Sequence, residues 1–319
     1  MEILLTGGSG FIGSHLIRAL SEAGHRVRIY DLRAAAGAPG AYAADVRDAD
    51  TLAHAVAGVD LVVHLAAEHA DDVYPVQRYF DTNVGGAKAL VAAMARAGVE
   101  RLVHFSSVSV YGDGDTDEQR ADLRPTTPYG ESKRQAEQVL MDWQSAEPAR
   151  RALRILRPCV VYGPGHHGNL RRWMRELDRR RPWRIGDGRQ VKSVAYVGNV
   201  VAATLFDLAT RAGVVVHNVV DGPDLQVVEL ERLILDALGR GHVRPRVLPP
   251  TVAFAVASLF DLHAAVTGAR HAISRARVRK YCTGTPVLQG ALYRSGFVAP
   301  HDHRAGLTVT IAAETNRAR

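Results

Sequence analysis

The strongest constraint on this chain lies in its first thirteen residues. An apolar β-run, Glu2–Thr6, leads straight into Thr6-Gly7-Gly8-Ser9-Gly10-Phe11-Ile12-Gly13, and a helical pattern follows as far as Gly24. Glycines at Gly7, Gly10 and Gly13 let the backbone turn tightly and approach a pyrophosphate, while the start of a helix offers N–H donors and the positive end of its dipole. Gly13 also lets helix and strand pack closely. This order of strand, turn and helix predicts dinucleotide binding, with Gly7, Gly10, Phe11, Ile12 and Gly13 around the pyrophosphate. Asp31 lies 18 residues beyond Gly13, at the end of a second β-run, Arg26–Tyr30. A carboxylate there accepts hydrogen bonds from the adenosine ribose and repels a 2′-phosphate, which favours NAD over NADP. Arg33 is able to pair with that phosphate and keeps NADP as the lesser alternative. Asp45 and Val46 follow a short third run, Ala41–Ala44, and are placed at the adenine edge.

The same rhythm continues. Asp60–Ala66 is an unbroken apolar run of the kind buried on both faces of a sheet. Val76–Ala97 carries helical periodicity, Arg101–Ser106 reads as a strand, Pro128–Ser145 as a helix and Ala152–Leu156 as a sixth strand. Alternation of this kind predicts a doubly wound α/β fold with a parallel sheet. Residues 1–162 are expected to form this dinucleotide-binding domain, completed by 191–220. Residues 163–190 and 221–319 are expected to form a smaller, mostly helical substrate lobe over the carboxyl end of the sheet. In that lobe Asn169–Arg181 reads as a basic helix, and Thr251–Phe260 as a buried helix too short to span a membrane.

Composition narrows the partners. The 319 residues carry a net charge of +7, and only four of 40 cations are lysines: Lys88, Lys133, Lys192 and Lys280. An excess of arginine permits nucleic-acid binding but has no accompanying motif, so none is expected. Met1 opens without a basic segment or cleavage site, and Cys159 and Cys282 form no metal-ligand pattern, so a cytoplasmic, metal-free protein without a membrane anchor is expected.

A helix starting at Pro128 places Tyr129 and Lys133 on one face, at i and i+4. An ammonium there favours the phenolate and lowers the phenol from its usual pKa of about 10. The pair thus makes a base for an alcohol proton while hydride leaves the same carbon. Ser106-Ser107-Val108-Ser109-Val110-Tyr111-Gly112 follows the fifth strand, and Asn83 lies in Asp81-Thr82-Asn83-Val84-Gly85-Gly86. With the glycine loop, His64-Leu65-Ala66-Ala67 and Arg157-Pro158-Cys159-Val160-Val161-Tyr162-Gly163-Pro164-Gly165, these segments resemble the nucleotide-sugar epimerase/dehydratase branch of the extended short-chain dehydrogenase/reductase superfamily.

The resemblance implies a Rossmann fold, NAD and a homodimer formed through the helices near Val76 and Pro128. It makes Tyr129 the acid/base, Lys133 its activator and ribose ligand, Ser107 the hydroxyl on the reacting oxygen, and Asn83 a support. Leu65, Ala66, Ala67 and Pro158 line the cofactor. Dehydratases of the family carry an Asp-Glu pair after the catalytic hydroxyl residue, and its decarboxylases a Glu at the second position. Here Val108 and Ser109 stand there, which disfavours both reactions. What remains is epimerisation of a nucleotide-diphosphate sugar, placed at C4, by oxidation to a ketone and return of the hydride to the opposite face. A dehydrogenase or ketoreductase of a sugar nucleotide is the alternative. A hydroxysteroid-like alcohol is a further option, suggested by Ile273-Ser274-Arg275-Ala276-Arg277-Val278, and a non-catalytic dinucleotide sensor the least favoured.

For the substrate, the resemblance sets Asn169 and Lys192 against the diphosphate, with Ser107 and Ser109 at the reacting end. Lys192 replaces the usual Arg and supplies charge without the bidentate fork. Glu68 and His69 are placed towards the sugar. His166 and His167 lack partners at metal-ligand spacing. Most arginines between Arg171 and Arg184 are expected to be solvated, with one or two turned to an anion.

Overall fold

The computed structural model describes every residue except 36, 71–72, 120–121, 167, 209–211, 269–273 and 318–319. Along the chain come β1 (Glu2–Thr6), α1 (Phe11–Glu22), β2 (Arg26–Tyr30), β3 (Ala41–Tyr42), α2 (Ala49–Val56), β4 (Leu61–His64), α3 (Gln77–Phe80), α4 (Gly86–Ala97), β5 (Arg101–Phe105), α5 (Pro128–Ser145) and β6 (Ala152–Pro158). The rest holds β7 (Val160–Tyr162), α6 (Asn169–Leu177), β8 (Trp183–Ile185), β9 (Val194–Tyr196), α7 (Val197–Asp207), β10 (Gly213–Val219), α8 (Val227–Ala237), β11 (Arg246–Leu248), α9 (Pro250–Thr267), α10 (Arg275–Cys282), α11 (Ala291–Arg294) and α12 (His303–Arg317).

Seven strands form one parallel sheet in the order β3-β2-β1-β4-β5-β6-β10. From β1 the chain winds outward to β3, then returns to β4 on the other side, so strand order reverses between β1 and β4. That is where open α/β sheets bind ligands, beyond the carboxyl ends of the strands. Leu4, Val62, Leu102 and Leu153 line the sheet, and Leu52, Leu90, Met94, Leu140 and Trp143 pack on them from α2, α4 and α5. Each fully buried side chain of this size contributes roughly 1.5–3 kcal/mol through removal from water.

The chain separates into two compact units, one of Met1–Val161, Val197–Val220 and Leu288–Pro300, the other of Tyr162–Tyr196, Asp221–Val287 and His301–Arg319. The segment 288–300, expected in the lobe, packs in the first unit instead. There Glu118 accepts the Ala291 N–H, the Tyr293 hydroxyl donates to the Val220 carbonyl, and Phe297 meets Phe206 edge-on at 5.7 Å. Residues 191–196, expected to complete the sheet unit, lie in the second.

Three sequence expectations change. The helix foreseen over Val76–Ala97 is present from Gln77 but changes pitch, because Asp81–Gly85 forms a π-turn between α3 and α4. The basic helix stops at Leu177 rather than Arg181. The apolar helix α9 extends over 18 residues and is not buried: only Ala253 and Ala257 are, while Leu259, Leu262 and Val266 are 69, 64 and 78% exposed. Ala253 and Ala257 face the fold while Leu259, Leu262 and Val266 face outward, a reversal of the arrangement in a core helix.

His64 and His104 are register partners on β4 and β5, both buried, with ring centroids 5.1 Å apart. His64 Nδ1 shares a 2.7 Å hydrogen bond with Thr6 Oγ1, whereas neither ring nitrogen of His104 has a partner. Burial, reinforced by the Lys133 charge, pushes His64 down to about 3 and His104 well below the usual histidine value. The unfolded chain therefore takes up these protons first as pH falls below about 6.5, and the folded state loses stability towards pH 3. For His64 alone the loss reaches about 3 kcal/mol by pH 4. Replacing His104 with Phe should flatten the acid side of the stability profile, read by denaturant unfolding between pH 4 and pH 7; an unchanged slope would assign acid sensitivity elsewhere.

Candidate active site

The site in the first unit starts where β1 ends. Gly7 has φ +73°, its N–H donates to the Tyr30 carbonyl at 2.8 Å, and a Cβ there would meet the Ala66 nitrogen at 2.6 Å. A Cβ on Gly13 would lie 2.6 Å from the carbonyl oxygens of both Gly7 and Gly8. Backbone fills the space that side chains would need, so the turn is held between β4 and α1. Gly10 caps α1 without a side-chain bond, and no acid occupies the first turn, where Phe11 and Ile12 are half-buried. An anion is met by the bare positive end of a twelve-residue helix. These features fit a dinucleotide pyrophosphate.

Asp31 does more than wait for a ribose. Its carboxylate accepts the Ser9 N–H at 3.1 Å and the Arg33 N–H at 2.8 Å, tying the glycine turn to the end of β2. The Arg33 guanidinium sits 3.9 Å from the same carboxylate and is largely solvated. Asp45 is engaged by a bidentate Arg47 at 2.9 and 2.7 Å, which holds its carboxyl below the usual range. Val46 is buried against Gly86, where a Cβ would meet its Cγ1 at 2.6 Å. Leu65, Ala66 and Ala67 continue β4 as a half-buried ledge, with the Leu65 N–H on the Thr6 carbonyl at 2.9 Å. Pro158 closes β6 opposite Val219.

The π-turn explains Asn83. Its side chain is 2% exposed and makes three bonds: Oδ1 accepts the Glu68 N–H at 2.8 Å, and Nδ2 donates to the Glu68 carbonyl at 3.1 Å and to Ser132 Oγ at 2.8 Å. One amide thus clamps the loop after β4 to the first turns of α5. π-turns commonly mark functional positions, because the extra residue re-aims a side chain. The Glu68 carboxylate pairs with Arg78 at 2.9 Å, and His69 Nδ1 lies 3.5 Å from the Ala67 carbonyl oxygen.

Thr127 caps α5 by accepting the Gly130 N–H, with Pro128 in the first turn. Gly130 is required, since a Cβ there would meet the Ser109 carbonyl oxygen at 2.4 Å. This contact presses the turn at Ser107–Ser109 against the start of α5. Ser107 caps a short 3-10 turn over Val108–Val110, and its hydroxyl donates to Ser109 Oγ at 3.1 Å and also hydrogen-bonds the Tyr129 phenol. Ser107 and Tyr129 therefore meet, and Lys133 follows one helical turn on along α5. The Tyr129 ring lies 6.1 Å from Tyr79.

The electrostatics correct the sequence expectation. Burial pushes the Tyr129 phenol up to about 12, with Tyr79 adding to the rise and the Ser107 bond opposing it. The expected downward pull comes from the Ser107 hydroxyl and not from the Lys133 ammonium, and burial outweighs it. Lys133 itself is 2% exposed and pushed down to about 8 by burial, with Glu137 opposing. At neutral pH the protein alone holds a protonated phenol beside a largely charged lysine.

Glu137 belongs to a group that sequence reasoning did not assign. Its buried carboxylate takes two bonds from Arg157, at 2.9 and 2.6 Å; Arg157 donates to the Tyr111 hydroxyl at 2.9 Å, which donates to Asn218 Oδ1 at 2.8 Å. A signal for it was present, since Tyr129, Lys133 and Glu137 follow one another at i+4 along one helix face.

In the second unit Asn169 is the exposed first residue of α6, and the Lys192 ammonium donates to the Thr283 carbonyl. Arg171 pairs with Glu314 at 2.6 Å and Arg184 with Glu231 at 2.9 Å, while Arg172, Arg175, Arg179, Arg180 and Arg181 are exposed. Ser274 caps α10; Ile273 and His167 lie outside the described residues.

Residues 3–220 match the NAD dependent epimerase/dehydratase family. The chain is 36% identical over 316 residues, 98% of its length and 95% of the relative's, to N-acetyl-alpha-D-glucosaminyl-diphospho-ditrans,octacis-undecaprenol 4-epimerase of Escherichia coli O157:H7. It is 38% identical over 167 residues, 46% of its length and 49% of the relative's, to UDP-glucose 4-epimerase of Neisseria meningitidis serogroup C. Among solved structures, MoeE5 in complex with UDP-glucuronic acid and NAD superposes with a TM-score of 0.75 at 28% identity, over the whole of both chains. On the glycine turn, the reversal of strand order, the Ser107–Tyr129–Lys133 group and these matches, the chain belongs to the NAD dependent epimerase/dehydratase family.

Proposed function

We propose that this chain is an NAD-dependent 4-epimerase of a hexose carried on a diphosphate, and that the carrier is a polyprenol. The observation that carries the reading is the match along nearly the whole chain to a 4-epimerase named for such a substrate. A nucleoside diphosphate is the second carrier, favoured by the UDP-sugar bound to MoeE5.

When bound, NAD supplies the acceptor that takes a hydride from the sugar carbon and gives it back. The protein's own residues handle the proton. Ser107 and Tyr129 present two hydroxyls to one substrate oxygen, the first holding it and the second exchanging its proton. With the phenol pushed up to about 12, Tyr129 rests as the acid, the form that protonates a returning alkoxide. To act as base it relies on positive charge nearby, and Lys133 is its neighbour on the helix. Asn83 holds the loop and helix on either side in register. Ser109, where relatives that eliminate water carry an acid, offers only a hydroxyl, so no second proton acceptor is supplied.

The test incubates purified protein separately with polyprenyl-diphospho-N-acetylglucosamine, UDP-N-acetylglucosamine and UDP-glucose, and follows product configuration and reduced-nicotinamide absorbance together. Inversion at C4 without accumulating NADH is expected; stoichiometric NADH would make the protein a dehydrogenase. Tyr129→Phe should lower turnover by about 10²–10⁴-fold, the usual worth of a positioned acid/base, with NAD affinity by fluorescence titration unchanged. Full turnover in that variant would remove Tyr129 from the mechanism. Asp31→Asn keeps an acceptor for the glycine turn and removes the charge, so NADP affinity should rise at least about tenfold relative to NAD, equivalent to about 1.4 kcal/mol. No change in that ratio would shift cofactor choice to Arg33.

A further inference from the structure

The second unit carries an apolar surface that the chemistry above does not use. Along α9, Val252, Val256, Leu259, Leu262 and Val266 fall at three- and four-residue spacing and are 39–78% exposed. The opposite face is seated: Ala253 and Ala257 form a small core with Val278 of α10, packed by Ile185 and Leu248 from β8 and β11. On that ribbon Trp183 and Val247 are 46 and 51% exposed, and the Arg246 guanidinium lies 5.6 Å from the Trp183 ring centre.

Charge in the segments that build this face is mostly positive; the exposed Asp187, near the start of α9, is paired with Arg189 at 3.5 Å. Between Gly241 and Thr283 the sequence has seven Lys or Arg and a single acid, Asp261. Asp261 is turned inward to accept the Arg275 N–H at 3.1 Å. Arg244, Arg246, Arg275, Arg277 and Arg279 are all exposed. An apolar helix face bordered by tryptophan and arginine matches the boundary between acyl chains and anionic headgroups. A second copy docking through the same patch would bring like charges together, since a two-fold interface pairs a surface with itself. An anionic lipid surface neutralises them. Because one face of α9 is packed on its own fold, the helix is suited to lie in the membrane plane and not to cross it.

We propose that α9, with the basic α10 and the β8–β11 ribbon, docks this protein on the surface of an anionic phospholipid bilayer. The inference extends the polyprenol reading of the substrate, and its test separates the two. Purified full-length protein is floated with vesicles of phosphatidylglycerol mixed with phosphatidylcholine, and with phosphatidylcholine alone. Wild type should rise with the anionic vesicles and lose at least tenfold of that binding in high salt. Leu259→Glu/Leu262→Glu/Val266→Glu should weaken it at least tenfold, as should Arg275→Gln/Arg277→Gln/Arg279→Gln. These side chains already face solvent, so the melting temperature and epimerisation of a water-soluble UDP-sugar, where the protein accepts one, should be retained. Wild type that floats with neither vesicle, or floats equally well after the triple Glu substitution, overturns the proposal. So does a dimer, seen by analytical ultracentrifugation, that the Glu substitutions dissolve, because a second copy would then cover the face. Vesicle binding without C4 inversion of the polyprenyl-linked sugar would leave the docking surface standing and remove the substrate reading.

Discussion

The geometry of the candidate site depends on one buried ion pair. Arg157 at the end of β6 and Glu137 in the middle of α5 are 4 and 0% exposed, and their two charges meet through two short, parallel hydrogen bonds. Such a pair gains little over a well-packed apolar pair of the same shape, but removing either partner strands a charge and costs about 3–5 kcal/mol. The fold limits that risk by satisfying what remains of Arg157. Its third nitrogen donates to Tyr111, whose ring also lies 4.9 Å from the guanidinium carbon. Tyr111 passes the chain of bonds to Asn218 on β10, and Asn218 reaches the carbonyl of Thr116 and the carboxylate of Glu118. Strands β6 and β10, the loop after β5 and helix α5 are thereby set in one arrangement.

That arrangement is what makes a buried lysine tolerable. Lys133 lies one helical turn before Glu137, and desolvation alone would drive its ammonium towards the neutral form. The Glu137 charge opposes that drive, and the balance leaves Lys133 near 8. On its other side the neutral histidines His64 and His104 occupy the strand ends beneath it. Either one, if protonated, would add a like charge within the same dry volume. The histidines therefore limit the site at the acid end of the pH range, where their protonation opposes the fold, and the Arg157–Glu137 pair supports it at neutrality. Tyr129 belongs to the same electrostatic group, but burial dominates it, so its proton is held until positive charge comes close.

Much of this was legible in the sequence because it depends on spacing. Six of the seven sheet strands follow from short β-rich runs along the first half of the chain, and the glycine turn from three glycines between a strand and a helix. Tyr129 and Lys133 share a face because any helix sets i and i+4 side by side. What the sequence concealed depends on contacts between distant segments. The resemblance marks Asn83 as a support, but only the π-turn shows why its amide spans Glu68 and Ser132. Arg157 and Tyr111 could be seen as motif pieces but not as partners of Glu137, since 20 to 107 residues separate the bonded members of that network. The shift of Tyr129 was misjudged for a related reason. Spacing reports the neighbouring charge, but burial is set by the whole fold.

Helix α9 shows the same limit from the opposite direction. An apolar run of this composition is read as core because apolar surface is costly in water, about 25 cal/mol for each Å². The sequence cannot reveal which face meets the protein, and here the fold seats alanines inward and leaves leucines and valines outside. A chain retains such a face against that cost when something apolar covers it in use. The arginines decide what covers it. They would weaken a contact with another basic protein surface and strengthen one with anionic headgroups, so charge selects the partner while the apolar face supplies most of the adhesion.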